Sequence, residues 1–364
     1  MRFTPISAGV SAIMLGAVLA GAGLTGVARS VDAAAPARDV NRTNSAIAED
    51  RFVLIGGIEQ WISIRGDNRA NPIIVVLHGG PGEALTPLES LYTGWEKQFT
   101  VVQWDQRGSG KTFGRNGKAT PQMTLDRMVQ DVVEVADYAR QHLGKEKVIL
   151  LGHSWGAFLG VTVIKKRPDL FCAYVGTGQV VGWAQGMAAQ YEYAVNRAKA
   201  EGNKDALREL EQIGPPPYEI GPKFFTARKW LNRYLPASDT KYIQQQMDII
   251  RSAPNFSTQD VQDWTNGEDF SGRQLYSTEV AADLPATLGY EMAVPFFLIQ
   301  GEEDHIAPTE VAQRYFDRIR APVKKMVLLK GAGHFAYATN PEEFLAALVE
   351  YVRPLGTSAT ANQL

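Results

Sequence analysis

Six short apolar runs punctuate the chain: IIVVLHG, FTVVQWD, VILLGHS, FCAYVGTG, PFFLIQG and MVLLKGAG, each ending in glycine or polar residues. None of them has a polar face. A strand that is apolar at consecutive positions needs cover on both sides, the condition inside a parallel sheet; a strand with one wet face would alternate instead. Helical patterns lie between the runs. From Thr124 to Leu143, residues Leu125, Met128, Val129, Val132, Val135, Ala136 and Ala139 form one stripe, closed by Gly144. Strand, helix, strand defines an α/β fold: a mostly parallel central sheet with helices on both faces.

RFVLIGGIEQWISIRG, around Gly56 and Gly57, adds a β-hairpin at the start. The alternation then stops between about Val180 and Leu288. That stretch holds a helical pattern from Met187 to Leu210, the breaker Gly214-Pro215-Pro216-Pro217 and the aromatics Trp183, Tyr191, Tyr193, Trp230, Tyr234 and Trp264. It is too long for a simple connection and predicts a helical cap over the sheet edge. The expected organisation is a core of 51–179 and 290–355, a cap of 180–289, a linker of 34–50 and a flexible tail of 356–364.

The first residues differ from all that follow. Arg2 leads into ISAGVSAIMLGAVLAGAGLTGVA, without further charge until Arg29, and then into small residues. A basic start, an apolar stretch and an Ala-rich exit describe a signal peptide over 1–33, with cleavage after Ala33 and a periplasmic or secreted product. The stretch also suffices to span a bilayer, so an uncleaved anchor in the cytoplasmic membrane is the competing expectation. No cysteine near the exit offers a lipidation site. Cys172, the only cysteine, lies in an apolar run and reads as a small buried hydrophobe. With a net charge of −2 among 364 residues, no basic excess favours nucleic acid as a partner. Oligomeric state leaves no signal.

VILLGHSWGAFLG places Gly152-His153-Ser154-Trp155-Gly156 between an apolar strand and a small-residue helix start. A strand turning abruptly into a helix strains its middle residue, and flanking glycines let neighbouring elements approach. Ser154 Oγ would project above the sheet as a nucleophile. It needs a base. Of the five histidines, His142 ends a helix, His78 reads as a loop organiser, His153 should point away from its neighbour Ser154, and His305 follows an acid directly. His334, on the loop after the last run, can reach the serine. FFLIQGEEDHIAP then offers Glu302, Glu303 and Asp304 as orienting acids, and Asp304 precedes the apolar-Pro turn. The order Ser154, Asp304, His334 fits acyl transfer at the carboxyl ends of parallel strands. Trp155 N–H supplies one oxyanion donor; Gly80, or alternatively Gly79, in the HGGPG loop supplies the other. Histidine spacing shows no metal-ligand pattern, and no cofactor is expected.

HGGPG, VVQWDQRGSGKT, GHSWG, GEED and GAGH together resemble the prolyl aminopeptidase branch of the α/β hydrolases, over about Arg51 to Gly178 and Pro295 to Arg353. The resemblance implies the α/β-hydrolase fold, the triad Ser154, Asp304 and His334, and an oxyanion hole from Gly79, Gly80 and Trp155. It makes Arg107 a structural pin beneath the site. Well-matched members carry Trp-x-x-Trp-Glu in the cap, with acids that hold the substrate's α-amino group. This chain has no such element, and HGGPG is followed by Glu83-Ala84. Glu83, Glu192 and Glu291 are the ammonium-partner candidates.

The expectation is a serine hydrolase acting on a small molecule or short peptide, releasing N-terminal residues as a proline iminopeptidase does. The alternatives are an esterase, lactonase or amidase for small apolar acyl groups, and a ligand-binding protein on a hydrolase scaffold.

Overall fold

The computed structural model describes residues 46–280 and 282–357. One sheet of eight strands has the order β1-β2-β4-β3-β5-β6-β7-β8. The strands are β1 Ile47–Ile55, β2 Ile58–Gly66, β3 Ile73–Leu77, β4 Thr100–Trp104, β5 Val148–His153, β6 Phe171–Thr177, β7 Phe296–Gly301 and β8 Lys324–Leu329. β1 and β2 form the hairpin, β2 runs antiparallel to β4, and all remaining neighbours are parallel. The six apolar runs are β3 to β8.

In β3 to β7, buried along their whole length, the lack of a polar face follows from what covers them. Along β3, Ile73, Val75 and Leu77 enter a core with Val132 and Ala136 of the helix Leu125–Leu143 and Leu159 of the helix Trp155–Lys166. Ile74 and Val76 face the other way, into a core with Trp95, Phe99, Phe344 and Leu348. Full burial of one such aliphatic side chain contributes about 1.5–3 kcal/mol, so polar residues at either set of positions would be costly. The helix Leu125–Leu143 is terminated as its residues dictate. Thr124 accepts from Arg127 N–H at one end, and Gly144 takes φ 67° at the other.

Between β6 and β7 lie the helices Trp183–Ala200, Lys204–Ile213, Pro222–Arg233, Ala237–Arg251, Thr258–Val280 and Leu284–Leu288. Among the described residues this insert holds no strand beyond the bridge of Gly182 to Asp283. The helix Thr258–Val280 lies across the site loops: a Cβ on Gly82 would be 2.8 Å from Glu268 Cα, and Ser271 Oγ donates to Gly108 O at 2.8 Å.

Four sequence expectations need correction. The last apolar run, expected to be covered on both sides, is the edge strand β8, where Lys324, Lys325 and Leu328 are exposed. Residues 47–50 belong to β1, paired with Gly66, Arg65, Ile64 and Ser63, so they are no part of a linker. The periodicity from Met187 to Leu210 spans two helices, separated by a turn where Gly202 has φ 64°. The last helix, Arg353–Thr357, reaches into the stretch expected as tail. Segment 1–33 lies outside the described residues; among those described, no helix is long and apolar enough to cross a membrane.

Candidate active site

Ser154 joins β5 to the helix Trp155–Lys166 with φ 55° and ψ −118°, a conformation that non-glycine residues rarely hold. Close packing enforces it. A Cβ on Gly152 would lie 2.3 Å from Gly156 O, and one on Gly156 would lie 2.2 Å from Leu77 O. Only glycine at both positions lets the helix start this close to β3 and β5. Ser154 N–H donates to Thr177 O at 3.0 Å, which ties the bend to the end of β6. Trp155 opens the helix, where the first N–H groups have no intrahelical acceptor.

The His334 imidazole meets Asp304 through Nδ1 and Oδ2 at 2.9 Å, and both residues are buried. Asp304 is itself held firmly. Its Oδ1 accepts from Ile306 N–H at 2.9 Å and Ala307 N–H at 2.8 Å, while Gln300 Nε2 donates to Oδ2 at 3.0 Å. Glu302 and Glu303 are exposed, so the turn selects the third acid of the run. Burial works against the imidazolium, but Asp304, by charge and hydrogen bond, outweighs it with Asp239 and Glu83 behind. The His334 pKa lies above its ordinary value.

His334 and Ser154 flank the same stretch of chain. A Cβ on Gly178 would sit 2.8 Å from His334 Cε1, and the preceding Thr177 accepts from Ser154. Among the described residues, no hydrogen bond joins Ser154 Oγ to the imidazole; such bonds commonly tighten only around substrate. His153 supports His334 from behind. Its ring packs on His334 with centroids 4.7 Å apart, and its Nε2–H donates to His334 O at 3.2 Å. Burial holds it neutral, with a pKa well below the usual histidine value.

The HGGPG loop closes the site from the β3 side. A Cβ on Gly79 would lie 3.2 Å from Ser154 Cβ, and one on Gly80, where φ is 108°, would lie 2.4 Å from Gly82 N. His78 Nδ1–H donates to Gly79 O at 2.9 Å, and its Nε2 accepts from Gln106 N–H at 3.1 Å. Burial lowers its pKa to about 4, so it is a neutral strut and not a base. Beneath, the buried Arg107 donates to Asp131 through Nε at 2.7 Å and to Gly56 O at 2.8 Å, as a structural pin should. His142 sits at its helix end against Glu49, and the His305 ring stacks on Tyr193.

Of the three glutamates, only Glu83 belongs to the site. It is buried, its electrostatic partner is His334, and burial pushes its carboxyl up to about 7. Glu291 is exposed and paired with Arg320. Glu192 is exposed and borders a cleft with Glu302, Asp304, His305 and Glu310, not the one that Ser154 lines. Neither lines the cleft that holds Ser154, and both are exposed, which does not suit them to hold an ammonium there. Ser154 lines a cleft with Val180, Val181, Met187, Ile306, Gln190 and Arg228. Sequence reasoning missed Arg228, Gln300 and Asp239. Gln300 could have been noticed as a polar residue closing a buried strand; the other two sit in unremarkable helical sequence.

The strained serine on a strand-to-helix bend, with a histidine–carboxylate pair on loops after later strands, defines a class. The model of the alpha/beta hydrolase fold family matches residues 72–341, more than half of the chain, and the chain belongs to that family. It is 28% identical to a probable aminopeptidase, YbaC, of Bacillus subtilis, over 85% of this chain and 97% of that one. It is 27% identical to a probable proline iminopeptidase of Streptomyces coelicolor, over 77% and 87%. Among solved structures, a proline iminopeptidase-related protein of Thermus thermophilus superposes with a TM-score of 0.61 at 22% identity, covering 85% and 99%. That likeness concerns the fold.

Proposed function

We propose that this protein is a serine hydrolase in which Ser154 is the nucleophile, His334 the base and Asp304 its orienting acid. The observation that carries the reading is the 2.9 Å pair of His334 and Asp304 beside a serine held at φ 55°. His334 Nε2 takes the Ser154 hydroxyl proton as Oγ attacks a carbonyl carbon. Asp304 keeps the other ring proton on Nδ1 and stabilises the imidazolium. The N–H of Trp155 and of Gly80, or of Gly79 in its place, face the developing oxyanion, each contributing about 2.7–4 kcal/mol. The proton then passes to the leaving group, and water, deprotonated by the same imidazole, releases the acyl group.

For substrate we propose a short peptide with a free N-terminus, cleaved as the aminopeptidase names of the relatives suggest. Glu83 supports this: a buried carboxyl beside the base can hold an ammonium, and the ammonium would in turn keep it ionised. The apolar walls of the cleft favour a second reading, a small ester, lactone or amide. Assaying proline arylamide against short acyl aryl esters decides between them. Ester turnover without any arylamidase activity sinks the peptidase reading. A ligand-binding role without turnover would leave both substrates intact. We further propose that segment 1–33 exports the enzyme, which protease accessibility in intact cells would test.

A further inference from the structure

Asp239 is fully buried near the start of the insert helix Ala237–Arg251, yet its side chain does not cap that helix. Its carboxylate instead accepts from the backbone N–H of His334 at 2.8 Å and of Phe335 at 3.3 Å. We propose that Asp239 is a positioning residue for the base: it fixes the backbone that carries the His334 imidazole. The insert then supplies part of the catalytic apparatus as well as cleft walls. This inference rests on the triad reading above.

The loop needs such an anchor. Gly331 and Gly333 precede His334 and give its approach little intrinsic stiffness. Gly333 has a second role, because a Cβ there would lie 2.1 Å from Asp239 Oδ2; the missing side chain is what admits the carboxylate. The His334 peptide is thereby held at both ends, its N–H by Asp239 and its C=O by His153, while the ring is held by Asp304. These partners come from the insert, the serine bend and the β7 loop. Three elements thus converge on one residue. Misplacing a reacting group by about 1 Å can cost about 10²-fold in rate.

Asp239 also acts through charge. The groups facing His334 are the carboxylates of Asp304, Asp239 and Glu83, together with the His153 ring; those facing Asp239 are Asp304 and His334. Burial pushes the Asp239 carboxyl up to about 6, against the pull of the His334 N–H. Its removal takes away a carboxylate that favours the imidazolium.

The test uses the full chain with Asp239→Ala and Asp239→Asn, and Ser154→Ala as reference, on an acyl aryl ester and proline arylamide. Asp239→Ala should lower kcat about 10²-fold on whichever substrates are turned over, with KM within about twofold. Asp239→Asn, which keeps one carbonyl acceptor, should lose less. In both, the acid limb of kcat/KM should move to lower pH, a shift that a merely structural defect does not produce. Active-site titration with a fluorophosphonate corrects for misfolded enzyme, and if the alanine variant does not fold, the isosteric asparagine carries the test. Unchanged kcat and an unmoved acid limb per titrated site would overturn the proposal. Full activity of Ser154→Ala would overturn the triad reading, and this inference with it.

Discussion

Replacing Asp304 by asparagine changes one atom and, on this geometry, should disable the base. The two Asp304 oxygens accept four hydrogen bonds: Oδ1 from the N–H of Ile306 and Ala307, Oδ2 from Gln300 Nε2 and His334 Nδ1. Asparagine keeps one carbonyl. If it stays on the two backbone donors, its NH₂ faces Gln300 Nε2 and His334 Nδ1, donor against donor. Gln300 cannot simply flip, because its Oε1 accepts from Gln179 N–H at 3.0 Å and its Nε2 also donates to Ala307 O at 3.1 Å. The imidazole yields instead, moving its proton to Nε2, where it can no longer accept from Ser154. The same exchange of roles in other serine hydrolases costs about 10⁴ in kcat, or about 5.5 kcal/mol of barrier. Steady-state turnover of an acyl ester, normalised by the folded fraction from circular dichroism, measures it. A folded Asp304→Asn enzyme within tenfold of wild type would refute the reasoning.

Other outcomes follow from the same geometry. kcat/KM should rise with pH with a midpoint above 6.5, because His334 must be neutral to act and its pKa is raised; a midpoint below 6 in a full pH–rate profile would contradict this. Glu83 binds its proton in the folded chain up to about pH 7 but in the unfolded chain only to about 4.5, so its burial costs stability as pH rises through that window. Glu83→Gln should therefore be more stable than wild type at pH 8, by up to about 3 kcal/mol, with the gap closing at pH 5; denaturant melts at both pH values test it. Gly156→Ala would press a Cβ to 2.2 Å from Leu77 O and should lower stability by about 1–3 kcal/mol, or more, read from the urea midpoint.

What could be read from the sequence was whatever depends on local pattern. β3 to β7 read as apolar runs because two cores cover them, whereas β8 is an edge strand whose exposure the apolar letters did not show, and Ser154 is marked by glycines whose Cβ atoms would collide with neighbouring backbone. Asp304 could be separated from Glu302 and Glu303 because a turn after a strand buries only one residue of the run. Asp239 was not legible. It is one acid among many in helical sequence, and its meaning comes from an insert helix meeting a loop 95 residues later. Likewise Glu83, Glu192 and Glu291 are equivalent as letters. Only packing shows that the first is buried beside His334 and that the last pairs with Arg320.

The central claim is that Ser154 is an activated nucleophile, and covalent labelling addresses it most directly. A fluorophosphonate probe should form one adduct per chain, mapped to Ser154 by tandem mass spectrometry, abolished in Ser154→Ala and strongly slowed in His334→Ala. An adduct on another residue, or a folded wild-type protein that takes up no probe, would contradict the account.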